Sequence, residues 1–431
     1  MKIKNILLIN PNTKVSKDSI RRLPTPLGLM YLGAVLEENN YNVSILDSSC
    51  EGYDNVIEHD SYNMFGLSDG DIKKRIKEES PDFIGVTCNF SNHEYESMHV
   101  CDLIKEVNPN IIVCVGGLHP TYRYEYMMDK CKSIDFIIKR EGEYRLLKLI
   151  DYLNNKKDYN NNDGLVYRKD NKIISNETIE FIKDLDNIPL PARHLIDMEK
   201  YIKIGLFSNP FPKGDRPAQI LTSRGCPFHC HFCATKPYWG NFRPRSIKSI
   251  LKEMKYLKDN YNVNEIQFRD DNMLVNRKRA MGIIQSMKRF GFHWCVGIMV
   301  SDLDDEMLKE MKESGCYQLT ISIESGSERV LKEIIKKPFK LSIIKHIVDT
   351  AHKYGIRIHS DNIIGMPGET YEEMMKTFEF NEEVQVDSVA FFLAAVYLGS
   401  PLYDQCKERG WISEDTLKSD FKNPNIYIKE T

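Results

Sequence analysis

No apolar run in this chain approaches the ~18 residues that a membrane-spanning helix needs, so no helical span is predicted. An excess of one charge is lacking as well. Against 59 basic residues stand 62 acidic ones, a net charge of −3, and nothing favours a nucleic-acid polyanion as partner. The opening residues carry only a short apolar stretch before Asn10-Pro11-Asn12, with no small-residue cleavage site after it, a poor secretory leader. A disulfide framework is also missing, because eleven cysteines are an odd number and are irregularly spaced. Cys88, Cys101, Cys114, Cys131, Cys295, Cys316 and Cys406 read as free thiols, several acting as small hydrophobes on apolar strands. Reducing cytoplasm is the expected compartment. The Gly-x-Gly-x-x-Gly turn of dinucleotide-binding domains does not follow the first apolar run.

What is present is a chain of 431 residues, 42% of them hydrophobic, enough for packed cores in two or three domains. Its most informative feature is the run Ser223-Arg224-Gly225-Cys226-Pro227-Phe228-His229-Cys230-His231-Phe232-Cys233. Three thiolates within eight residues can each hold one iron of a [4Fe–4S] cube, leaving the fourth iron open to an exchangeable ligand. Zinc competes for this motif, because His229 and His231 interleave the cysteines. Donors so crowded in sequence place four ligands tetrahedrally only with difficulty, and zinc sites usually split them into two separated pairs.

Cys226-x-x-x-Cys230-x-x-Cys233, with the aromatic Phe232 before the last cysteine, resembles the signature of the radical S-adenosylmethionine (SAM) superfamily. The resemblance implies that SAM occupies the open iron and is cleaved by one electron to methionine and a 5′-deoxyadenosyl radical. It also implies an external one-electron donor such as flavodoxin or ferredoxin. From residue 216 to 405, strand-like runs at Gln219–Thr222, Glu265–Phe268, Trp294–Val300, Leu319–Ile323, Ile356–Ile364 and Ser388–Ala395 alternate with helical patterns. That alternation predicts a partial (β/α)6 TIM-type barrel, with chemistry at the C-terminal strand ends. Other strand ends resemble family motifs. Asp270 and Asp271 end the second strand and are expected to meet the SAM ammonium. Ile323-Glu324-Ser325-Gly326-Ser327-Glu328 ends the fourth, with Glu324 expected on the ribose hydroxyls; Ser322 stands where the family has glycine. Ile364-Gly365-Met366-Pro367-Gly368-Glu369 matches the fifth-strand motif, whose backbone packs on adenine. Met299 departs from the arginine often found in relatives, and Leu402-Tyr403 after Gly399-Ser400-Pro401 resembles the family's closing motif.

Residues 1–150 alternate uninterrupted Val/Ile runs with amphipathic stretches, as a doubly wound, Rossmann-like parallel sheet does. Ligands of such sheets sit beyond the carboxyl ends of the strands. Here those ends carry Asn10-Pro11-Asn12, Thr87-Cys88-Asn89, Gly116-Gly117-Leu118-His119-Pro120 and Arg140-Glu141-Gly142-Glu143. With Pro26–Leu32 and Asp82–Thr87, they resemble the cobalamin-binding domain that precedes the radical SAM core in a large enzyme group. The resemblance places Asn10, Pro11, Thr87, Gly116, Gly117, His119 and Glu141 near a corrin. The Asp-x-His-x-x-Gly pattern that supplies cobalt with a histidine is absent, so His119 is expected as a loop residue at the corrin edge.

Residues 151–215 read as a linker with a hairpin about the Lys169-Asp170-Asn171 turn, and 406–431 as a short C-terminal extension. His194 reads as a surface or structural residue. The function expected is cobalamin-dependent radical methylation of an unactivated carbon in a small molecule, with substrate in the cleft between domains. A non-methylating radical SAM cyclase, dehydratase or dehydrogenase is the nearer alternative, and a non-enzymatic cobalamin or metal-binding module the farther one.

Overall fold

A computed structural model describes residues 2–17, 21, 23–60, 62–177, 180–205 and 211–413. Residues 206–210 of the expected linker and 414–431 of the expected extension lie outside the described residues. The chain divides into two compact units, residues 1–183 with 187–201 and residues 184–186 with 202–431.

In the first unit the strands are β1 (Asn5–Asn10), β2 (Thr13–Ser16), β3 (Asn42–Asp47), β4 (Val56–Glu58), β5 (Tyr62–Phe65), β6 (Phe83–Thr87), β7 (Ile112–Gly117), β8 (Phe136–Lys139), β9 (Leu165–Lys169) and β10 (Lys172–Ser175). The main sheet runs β10-β9-β8-β7-β6-β1-β3, and β3, β1, β6, β7 and β8 are parallel. Leu7, Ile9, Ile84, Val86, Val113 and Val115 pack on one face with residues of helices Asp69–Glu79, Glu94–Val107 and Leu118–Lys130. Ile6, Leu8, Ile45, Phe83 and Phe136 pack on the other with Leu27–Glu38 and Glu143–Asn154. Burial from both sides is why these strands are continuous apolar runs rather than alternating ones.

The hairpin β9–β10 does not act as a linker. β9 pairs antiparallel with β8 and extends the first sheet, burying Leu165, Val166 and Tyr167, so the unit closes near residue 201 rather than 150. A three-stranded antiparallel sheet, β2-β5-β4, adds an element without apolar alternation in sequence.

The second unit contains β11 (Pro217–Ile220), β12 (Ser223–Arg224), β13 (Arg243–Pro244), β14 (Glu265–Phe268), β15 (His293–Ile298), β16 (Cys316–Glu324), β17 (Arg357–Ile364) and β18 (Ser388–Leu393). Its main sheet has six parallel strands in sequential order, β11-β14-β15-β16-β17-β18, the partial barrel expected. Register separates its faces. Phe268, Val296, Leu319 and Ile358 are partners on the buried outer side. Gln219, Gln267, Cys295, Gln318 and Arg357 are partners on the inner side, where Gln219 donates to Gln267 at 3.0 Å. Two residues further along lies a row of half-open positions, Gly297, Thr320, His359 and Ser388, with Arg269 continuing it from the end of β14.

Candidate functional site

The cysteine loop leaves the C-terminal end of the first barrel strand through the two-residue pairing of β12 with β13. Gly225 makes the turn into it. Its φ is +82°, and a Cβ there would approach the Asn241 carbonyl oxygen to 2.7 Å, so glycine is required. Cys230 is buried, and Cys226 and Cys233 are half-buried. The loop is fastened at its centre: the His231 backbone N–H donates to the Ile335 carbonyl at 2.9 Å, and Leu402 donates back to the His231 carbonyl at 2.9 Å. His231 Nε2 lies 2.6 Å from Gln405 Oε1 while its Nδ1 is buried without a hydrogen-bond partner, and His229 is exposed. Among the described residues no three His, Cys, Asp or Glu side chains are grouped to hold one metal ion.

Burial pushes the Cys226 thiol up to about 11, with Asp271, Cys233 and Cys230 adding to the rise. A bound cationic cluster reverses that tendency by taking the thiolate form.

The paired aspartates differ. Asp270 is buried and braces one strand end to another: it accepts from the Thr222 backbone N–H at 3.1 Å, from Thr222 Oγ1 at 2.6 Å and from Ser223 Oγ. Its carboxylate is committed to structure, contrary to the sequence expectation of a ligand contact. Asp271 is open to solvent at the mouth of the cysteine loop, where it accepts from Gly225 N at 3.2 Å and Thr235 Oγ1 at 3.2 Å. The surrounding protein wall raises its pKa to about 6 by desolvation. A cationic ligand at that position restores the charged form.

Glu324 ends β16 with φ +68°, at a register shift against β17. A non-glycine residue held there is strained, a feature that clusters at functional sites. Its buried carboxylate meets the Lys337 ammonium at 3.1 Å, and Lys337 also donates to the Ser322 carbonyl at 3.3 Å. Lys337 has no counterpart in the sequence reading. Burial disfavours its charge, but the Glu324 carboxylate beside it outweighs that and holds the ammonium protonated.

Behind Glu324 the two motifs are joined. Ser327 Oγ and Arg329 Nε donate to Glu373 Oε1 at 2.9 and 2.8 Å, and Arg329 also reaches the Gly368 carbonyl at 2.8 Å. Glu369 accepts from the Gly365 and Met366 backbone N–H groups at 2.7 and 3.0 Å, which fixes the turn after Ile364.

In the first unit the expected corrin residues divide. Thr87, Gly116 and Gly117 are half-open strand ends. Gly117 has φ +124°, and a Cβ there would meet the Cys88 carbonyl oxygen at 2.5 Å. Asn10 instead donates to Asp47 at 3.0 Å, and the Pro11 carbonyl accepts from Ser49 Oγ at 2.7 Å. The Glu141 carboxylate caps the Ile182 N–H at 2.9 Å. His119 is not a loop residue. It lies in the first turn of Leu118–Lys130, buried, with Nε2 at 2.6 Å from Glu94 and Nδ1 at 3.1 Å from Ser91. Both nitrogens being engaged, it has none to offer cobalt.

The Radical SAM superfamily profile matches residues 220–380, and the B12 binding domain profile matches residues 14–150. Cytidylyl-2-hydroxyethylphosphonate methyltransferase of Streptomyces wedmorensis is 35% identical over 95% of this chain and 83% of its own length. The chain belongs to the B12-binding radical SAM enzymes. An anaerobic magnesium-protoporphyrin IX monomethyl ester cyclase of Rubrivivax gelatinosus is 25% identical over 94% of this chain and 70% of its own. The radical SAM methyltransferase TsrM of Kitasatospora setae, solved with cobalamin and a [4Fe–4S] cluster, shares the fold with a TM-score of 0.77 at 16% identity, covering 95% of this chain and 78% of its own.

The cofactors of such a radical SAM enzyme are a [4Fe–4S] cluster, SAM and cobalamin. The residues fit them. Three soft thiols carried on one loop suit a cluster with one open iron. Asp271 and Glu324 put carboxylates at the C-terminal ends of β14 and β16, with β15 between them, for a cation and for hydroxyls. Glycine backbone at the end of β7 allows close approach of a large planar ligand. Among the described residues no helix is long and apolar enough to cross a membrane.

Proposed function

We propose that this radical SAM enzyme is a methyltransferase acting on an unactivated carbon of a small molecule, with electrons from an external donor of flavodoxin or ferredoxin type. The observation that carries the reading is the three-thiol loop at the end of the first barrel strand, in a chain 35% identical along nearly its whole length to a methyltransferase. When bound, the cluster supplies the electron that cleaves SAM, and cobalamin supplies a methyl carrier.

The protein's own part is binding and alignment. In this reading Cys226, Cys230 and Cys233 hold the cluster, Asp271 faces the SAM ammonium, Glu324 accepts from the ribose, and the stapled turn at Ile364-Gly365 presents backbone to adenine. Thr87, Gly116 and Gly117 take the corrin. The inner row Arg269, Thr320, His359 and Ser388 gives a polar substrate donors and acceptors; there His359 Nδ1 lies 2.7 Å from Ser388 Oγ and Nε2 3.3 Å from Asp361.

The test is anaerobic incubation of reconstituted enzyme with SAM, cobalamin, a reductant and fractionated small-molecule extracts, read by mass spectrometry. A substrate gaining one methylene in mass is expected. Product with no added carbon sinks the methyltransferase reading and favours a second one, radical cyclisation, which the similarity to a cyclase supports.

A further inference from the structure

The element after the Glu324 motif is a π-helix, Val330–Ile335, a geometry that is rare and frequently found at functional sites. Lys336 closes it with φ +63°, a left-handed conformation that a lysine adopts only under constraint. That reversal turns Lys337 inward. Its side chain is 4% exposed, its Nζ lies 3.1 Å from Glu324 and 3.3 Å from the Ser322 carbonyl, and the Phe339 ring centroid lies 5.9 Å away. The Ile335 carbonyl of the same turn accepts from His231, in the middle of the cysteine loop. One short element therefore anchors the loop and delivers a buried cation beside it. Burying an ammonium is costly unless it is paired, and Lys337 is paired with the carboxylate assigned to SAM and stands two residues beyond the Ile335 carbonyl that holds the cysteine loop.

We propose that Lys337 is a positioning residue for the cluster–SAM site: it fixes the Glu324 carboxylate for the SAM ribose and, from the turn whose Ile335 carbonyl anchors the cysteine loop, brings a positive charge to that loop. The proposal rests on the assignment of Cys226, Cys230 and Cys233 to the cluster. A nearby cation stabilises the more negative, reduced cluster, so Lys337 raises its reduction potential. Lys337 therefore acts through Glu324 on affinity and through space on electron uptake.

The experiment uses the whole 431-residue chain, reconstituted with iron and sulfide under anaerobic conditions, as native enzyme and as Lys337→Met, Lys337→Gln and Lys337→Arg. Iron content, an EPR-monitored redox titration without SAM, and equilibrium dialysis with SAM are read separately from turnover. Lys337→Met should keep its iron, shift the midpoint to more negative potential and bind SAM about tenfold more weakly, roughly 1.4 kcal/mol. Lys337→Arg should return both values toward native. Lys337→Gln, which keeps a donor for Glu324 but no charge, should lower the potential and lose less SAM affinity than Lys337→Met. If Met destabilises the fold, the Gln and Arg pair still decides, since only charge separates their potentials. Midpoints and affinities that match native in iron-replete Met or Gln variants overturn the proposal alone. Native protein that takes up no cluster defeats the cysteine assignment, and the proposal falls with it.

Discussion

Thr222, Ser223 and the neighbouring Arg279 leave the Asp270 carboxylate engaged on every side, while the next residue, Asp271, faces solvent beside the cysteine loop. Two adjacent acids therefore have separable consequences. Asp270→Ala strips buried donors of their acceptor and should cost about 2 kcal/mol of stability, read by chemical denaturation. Asp271→Asn should leave the denaturation midpoint in place and weaken SAM binding about tenfold. The reverse pattern would mean that the roles are exchanged. His119 yields a second contrast at this scale. Because Glu94 and Ser91 occupy both ring nitrogens, His119→Ala should lower the thermal midpoint yet leave the cobalt EPR spectrum of added cob(II)alamin unaltered. Loss of a nitrogen splitting in the variant would show the imidazole on cobalt after all.

At the scale of elements, the strands were legible because physics leaves them little choice of sequence. β6 must be apolar on both faces, so Phe83–Val86 reads without ambiguity, and the barrel strands announce themselves by polar residues at their C-terminal ends. Legibility failed where local sequence has a second reading. Gly116–Pro120 looks like a loop, yet proline is tolerated in a first helical turn, and a helix starts at Leu118. The turn at Lys169-Asp170-Asn171 predicts the β9–β10 hairpin, but nothing in its own residues reveals that β8 is its partner. Lys337 is not legible in the sequence because a π-turn breaks the 3.6-residue period by which a helix face is read. The weld between the fourth- and fifth-strand motifs was equally invisible, being made by Arg329 and Glu373, 44 residues apart. It has a titration signature. The hydrogen bond from Arg329 holds the Glu373 carboxyl at about 2, against an ordinary 4.5. A lowered folded-state pKa stabilises the native state fully above the unfolded value, and that stabilisation is lost as pH falls from 4.5 toward 2. Glu373→Gln should therefore flatten the acid limb of a urea-midpoint profile in that window. An unchanged slope would assign acid lability to other carboxylates.

For the whole molecule, the division of labour follows the division of the chain. Every residue assigned to the cluster and to SAM belongs to the second unit, whereas the strand ends assigned to the corrin belong to the first. Each unit has its own sheet and its own buried side chains. If the two chemistries are built separately, removing one cofactor should not abolish the other's binding. Cobalamin-free enzyme, with its cluster reconstituted and reduced, should still cleave SAM to methionine and 5′-deoxyadenosine while forming no methylated product. Adding hydroxocobalamin should restore methylation, and corrin absorbance should stay with the protein through gel filtration. Each methylated product should then account for a second SAM, used to replace the methyl group on the carrier. The alternatives separate on the same bench: full turnover without cobalamin points to cyclisation or dehydration, and no retained absorbance removes the corrin assignment of Thr87, Gly116 and Gly117. Cys230→Ala supplies the complementary arm. It should retain corrin, since that thiol lies in the other unit, and lose both iron and SAM cleavage; a variant that still cleaves SAM at the native rate would detach the chemistry from the cysteine loop.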